Sequence, residues 1–87
     1  MMKQNIKENI YRTTDLALAS FLSLSCTSFE MNRLGGNKCV FVFRETEELV
    51  SLIESFFANT GTVSPFDYFN AIKKLKTMIY TGGNNVN

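Results

Sequence analysis

The sequence predicts an α+β domain of order αββαα, a two-stranded antiparallel hairpin packed with three helices. Three observations predict it. Cys39-Val40-Phe41-Val42-Phe43-Arg44 is an unbroken run of β-branched and aromatic residues, which reads as a strand. Gly35-Gly36-Asn37 just before it is a turn signal, so the run is the second arm of a hairpin. Ser64-Pro65-Phe66-Asp67 is a helix start, with Ser64 as N-cap, Pro65 at the first helical position and Asp67 able to close back onto Ser64.

With 87 residues the chain makes one domain, and a domain this size buries a thin core. An apolar share of 45% against 20% charged residues excludes a disordered chain. Eight Phe and three Tyr supply much of the core volume. A net charge of +1 exerts no global pull on nucleic acid or membrane. Histidine is missing, which removes the commonest general base and transition-metal ligand. Cys26 and Cys39 form no CxxC pair and read as reduced core residues of a cytosolic protein. Lys3, Lys7 and Arg12 ahead of the apolar run Leu16–Leu24 imitate a secretory or lipoprotein signal. Asp15 at the edge of the run and Ser23 three residues before Cys26 argue against that reading, and the run is too short to span a bilayer.

In chain order, residues 1–10 read as a flexible polar tail, 11–81 as the domain and 82–87 as a second flexible tail. Thr13-Thr14-Asp15 starts the first helix, a Thr hydroxyl capping it and Asp15 complementing its dipole. Leu18, Phe21 and Leu22 form its main apolar face. The opposite face, Leu16, Ala19, Ser20 and Ser23, has no charge, so it is covered either by this chain or by another. Cys26–Arg33 is the first hairpin arm. A two-residue turn at Gly35-Gly36 sets Phe29 opposite Val42; a three-residue loop with a bulge sets Phe29 opposite Phe41 and Met31 opposite Cys39. The second register is preferred because it gathers Phe29, Met31, Cys39, Phe41 and Phe43 on one face. Val40 and Val42 then face outward and call for a cover or a second copy of the strand. Thr46 caps the second helix, whose stripe is Leu49, Leu52, Ile53, Phe56 and Phe57, ending near Asn59. The third helix runs to about Tyr80, with Tyr68, Ile72, Leu75 and Ile79 on one line and Val63 and Tyr68 placed as a staple.

These residues resemble a family of small bacterial domains of unknown function, met in genes of phage and integrative elements, mostly of Firmicutes. The resemblance rests on Tyr11-Arg12-Thr13-Thr14-Asp15-Leu16-Ala17-Leu18-Ala19, Phe41-Val42-Phe43, Glu48-Leu49, Val63-Ser64-Pro65, Phe69-Asn70-Ala71-Ile72-Lys73-Lys74-Leu75-Lys76 and Ile79-Tyr80. Glu45 and Ser64 stand where the family has Asp, and Phe57 where it often has Trp. The resemblance implies a cytosolic accessory protein of a mobile element and carries over no catalytic residue.

Chemistry has little footing in these residues. Glu45, Glu47, Glu48 and Glu54 are the acidic cluster, but Glu48 points away from the face that Glu47 and Glu54 share, so a solvated surface explains them better than a metal site. Gly35-Gly36 lies in a hairpin rather than before a helix and is no phosphate loop. The sequence therefore predicts no enzyme, no cofactor and no membrane partner. It predicts a protein–protein module, a homodimer included, through Leu16, Ala19, Ser20, Ser23, Val40 and Val42; Ala19→Glu should then break the dimer and leave a folded monomer. The alternative is weak nucleic-acid contact through Arg33 and Lys38 at the hairpin tip and Lys73 and Lys76, which share a side of the third helix with Tyr80.

Overall fold

The computed structural model describes residues 9–26, 28–36 and 38–81. Residues 1–8 of the first expected tail and the whole of the second, 82–87, lie outside the described residues. Six elements follow one another: β1 (Ile10–Thr13), α1 (Leu16–Ser23), β2 (Phe29–Gly35), β3 (Lys38–Arg44), α2 (Glu47–Phe57) and α3 (Pro65–Thr81). The order is βαββαα, and the sheet has three strands in the order β1-β3-β2. The expected two-stranded hairpin is thus corrected by β1, which includes Ile10 of the expected tail. It pairs antiparallel with β3, Tyr11 opposite Phe43 and Thr13 opposite Phe41. The Glu45 N–H extends the ladder to the Asn9 carbonyl at 2.9 Å.

β1 and β2 are both antiparallel to β3, so they run parallel to each other with β3 between them. α1 is therefore the crossover of a split β-α-β unit, tethered to the sheet at both ends.

The hairpin register differs from both expected ones. Phe29 stands opposite Phe43, Met31 opposite Phe41 and Arg33 opposite Cys39, while Gly35 meets Lys38. Leu34 is the extra residue of a bulge, and with Gly35 paired to Lys38 across the tip the pairing lies two residues from the preferred register. A two-residue slip preserves sidedness, so Phe29, Met31, Cys39, Phe41 and Phe43 still share the face that packs on the helices. Gly35 at φ 144° and Gly36 at φ 56° take backbone conformations that favour glycine, which explains the Gly-Gly pair.

The α1 cap is Asp15 rather than a threonine. Its Oδ1 accepts from the N–H of Ala17 at 3.0 Å and of Leu18 at 3.3 Å, while Thr13 Oγ1 accepts from the Asp15 N–H at 3.0 Å. A carboxylate at this position both satisfies orphan donors and complements the dipole. Thr46 caps α2 as expected, its Oγ1 accepting from the Leu49 N–H at 3.1 Å. Asn59 stops the chain beyond α2 at φ 62°.

The core joins all layers. Leu18, Phe21 and Leu22 of α1 meet Phe41 and Phe43 of β3, Leu49 of α2 and Leu75 of α3. Phe21 and Phe56 tie α1 to α2 with ring centroids 5.4 Å apart. The Tyr68 hydroxyl ties α3 to α1 by donating to the Ala17 carbonyl at 3.0 Å. Burial, and secondly the charge of Asp15, raise the Tyr68 phenol above its ordinary range. Phe57, expected in the α2 stripe, is instead exposed at the end of the helix.

Candidate nucleic-acid interface

The expected interface residues are buried or half-buried within the chain. Ala19 and Ser20 are 0% exposed within the chain. Leu16 packs against the core, and Ser23 is half-buried with its Oγ donating to the Ser20 carbonyl at 2.8 Å. Val40 is buried and Val42 half-buried, each within a strand flanked on both sides. The physical reason is the crossover position of α1: the sheet takes one side of the helix, and α2 and α3 take others.

Exposed large side chains gather on α3 instead. Phe66 is 72% exposed, Phe69 59% and Tyr80 81%. Lys73 and Lys76 lie between them and are also exposed. Positions 66, 69, 73, 76 and 80 fall within one narrow arc of a helix, on the side away from buried Ala71 and Leu75. The stripe is about 21 Å long. It reads ring, ring, cation, cation, ring. Asp67 is the one carboxylate of α3 and sits off this arc, beside Asn70 and Lys74 in a separate cleft. Within the stripe, Lys73 Nζ lies 5.3 Å from the centroid of the Phe69 ring, which holds the ammonium against the helix surface.

The hairpin tip completes this surface. Arg33 shares the helix-facing side of β2 with Met31, and the bulge carries it over the end of α3. One terminal N–H of its guanidinium donates to the Ile79 carbonyl at 2.6 Å. That bond satisfies a last-turn carbonyl with no partner inside the helix and places positive charge at the negative end of the dipole. Arg33, Lys76 and Tyr80 then line a cleft of about 310 Å³ floored by Leu16 and Ile79. Lys38 is exposed at the tip, next in sequence to inward-facing Cys39, so it points to the other side of the sheet. The fold thus unites Arg33, Lys73 and Lys76 and leaves Lys38 apart. Sequence reasoning placed Lys73, Lys76 and Tyr80 on one side but missed Phe66 and Phe69, whose spacing from Lys73 was the available signal.

Other chemistry is sparse. Cys26 and Cys39 are free thiols, Cys39 buried and Cys26 half-buried, with burial raising the Cys26 thiol above its ordinary range and Glu48 adding to the rise. Among the described residues no three His, Cys, Asp or Glu side chains gather to hold a metal ion. No helix among them is long and apolar enough to cross a membrane.

A small α+β domain with a split β-α-β sheet and a ring-and-cation helix face is the class defined by this geometry. The chain belongs to the family described as Domain of unknown function (DUF5659), which matches residues 8–81. No curated protein and no solved structure matches the chain.

Proposed function

We propose that this domain is a non-enzymatic, cytosolic nucleic-acid-binding accessory protein of a mobile element, and that the outward face of α3 is its contact surface. The observation behind this reading is the stripe Phe66, Phe69, Lys73, Lys76, Tyr80 with Arg33 fixed at its end. Cations attract the phosphate backbone by releasing its counterions, and rings offer stacking surfaces for bases. The mobile-element setting is supported by the family resemblance of Tyr11 to Tyr80. The non-enzymatic reading is supported by a sequence without histidine.

A protein partner is the second reading, favoured by the exposed rings of Phe57, Phe66 and Phe69. A second copy of this chain fits the stripe poorly, because a two-fold axis across α3 sets Lys73 against Lys73.

Binding of the purified full chain to labelled oligonucleotides at two salt concentrations tests the reading. The expected result is salt-sensitive binding that Lys73→Glu with Lys76→Glu weakens, together with a smaller salt slope. Three cations on a single strand give a slope of about −2. Unchanged affinity in the charge-reversed protein would exclude α3 as the contact.

A further inference from the structure

We infer that the nucleic acid taken by this face is single-stranded, with one nucleotide seated in the cleft between the hairpin tip and the last turns of α3. This rests on the nucleic-acid reading above and adds the class of strand and the place of one unit.

The rings select the strand. Phe66, Phe69 and Tyr80 present exposed apolar surface along the same line as the cations. A duplex hides its base faces in the stack, so it can use the cations but not the rings; a single strand can use both. The surface is a ridge of one helix and not two facing walls, which suits a flexible strand laid along it. Over about 21 Å such a ridge passes several nucleotides.

The cleft supplies the seat. Its volume of about 310 Å³ lies at the lower end of small-ligand sites. Arg33 gives one N–H to the Ile79 carbonyl, and a guanidinium has five, so the group is oriented and still has donors for a phosphate. Lys76 stands on the same cleft as a second cation. Tyr80 offers the ring for the base, and half-buried Leu16 and Ile79 offer apolar floor for the sugar. Phosphate by Arg33 and Lys76, base by Tyr80 is a division of labour within one cleft. A mononucleotide presents the same chemistry as one unit of a strand, so length is an arm of the test.

Fluorescence anisotropy decides it, using the full chain and four probes: a 15-residue oligothymidine, a 15-base-pair duplex of mixed sequence, thymidine monophosphate as competitor, and a 15-residue oligoglutamate. Oligothymidine should bind about tenfold more tightly than duplex. Tyr80→Ala should cost about tenfold and Tyr80→Phe little, since stacking needs the ring and not the hydroxyl. Arg33→Lys should weaken binding less than Arg33→Ala. The monophosphate should compete only weakly, since it fills one seat. Circular dichroism confirms that each variant is folded; Tyr80 is exposed, so its loss leaves the core intact. Duplex bound as tightly as oligothymidine, or Tyr80→Ala without effect while lysine reversal weakens binding, would overturn the single-strand inference and leave the nucleic-acid reading standing. Competition by monophosphate as effective as by oligothymidine would replace the strand by a free nucleotide. Oligoglutamate bound as tightly as oligothymidine would overturn the inference in favour of an acidic protein. Absence of binding to every nucleic acid at low salt would overturn both.

Discussion

α1 and α3 each bear apolar residues where solvent would ordinarily meet charge, and they do so for opposite reasons. α1, Leu16–Ser23, contains no charged residue, and Leu18 to Leu22 are all buried. α3, Pro65–Thr81, buries Ala71 and Leu75 and turns Phe66, Phe69 and Tyr80 outward among lysines. A charge-free helix face is evidence of cover, while an exposed ring beside a cation is evidence of use. The deciding quantity is burial, and burial depends on topology: α1 is spanned by strands at both ends, α3 is held along one side only.

The largest expected effect breaks that contrast from the α1 side. Ala19→Glu sets a carboxylate where the site is 0% exposed, and should unfold a domain whose whole stability is on the order of 5 kcal/mol. Loss of helical circular dichroism at 25 °C is the readout; this replaces the folded monomer that the sequence predicts for the same variant. Phe69→Ser on α3, by comparison, should shift stability by no more than about 0.5 kcal/mol, since the ring is mostly solvent-exposed. A similar loss in both variants would erase the distinction.

A second variant sharpens the packing around α1. A Cβ on Gly61 would lie 2.7 Å from Cζ of the Phe21 ring, which itself packs at a tilt against Phe56. Gly61→Ala should therefore cost about 1–3 kcal/mol, read as a lowered urea midpoint with unchanged slope. A small effect of the opposite sign belongs to Ser20, whose Oγ is buried with no hydrogen-bond partner among the described residues. Ser20→Ala removes an unsatisfied group at nearly constant volume and should be neutral or stabilising by about 1 kcal/mol in the same titration. A clear destabilisation would mean that the hydroxyl has a partner after all.

Much of this fold was legible from local signals. The run at Cys39–Arg44, the Thr46 cap and the Pro65 start each declare themselves within a few residues. β1 did not, because Ile10-Tyr11-Arg12-Thr13 is four residues long and half polar, and becomes a strand only by pairing with β3 far along the chain. The hairpin register escaped because Gly35 pairs with Lys38 across the tip and Leu34 is skipped; together these move the count by two residues and leave the inward-facing set unchanged. For the candidate site, helical spacing alone aligned Lys73, Lys76 and Tyr80, whereas Arg33 joins them through a bond spanning 46 positions that no local pattern announces.

The bulge has a consequence beyond register. With β3 in the middle, the two edges of the sheet among the described residues are β1 and β2. β1 is only four residues long, and β2 is interrupted by the bulge at Leu34 just before the glycine pair. Short and bent edges are poor templates for strand addition, so these irregularities protect a Phe-rich sheet from growing into aggregates.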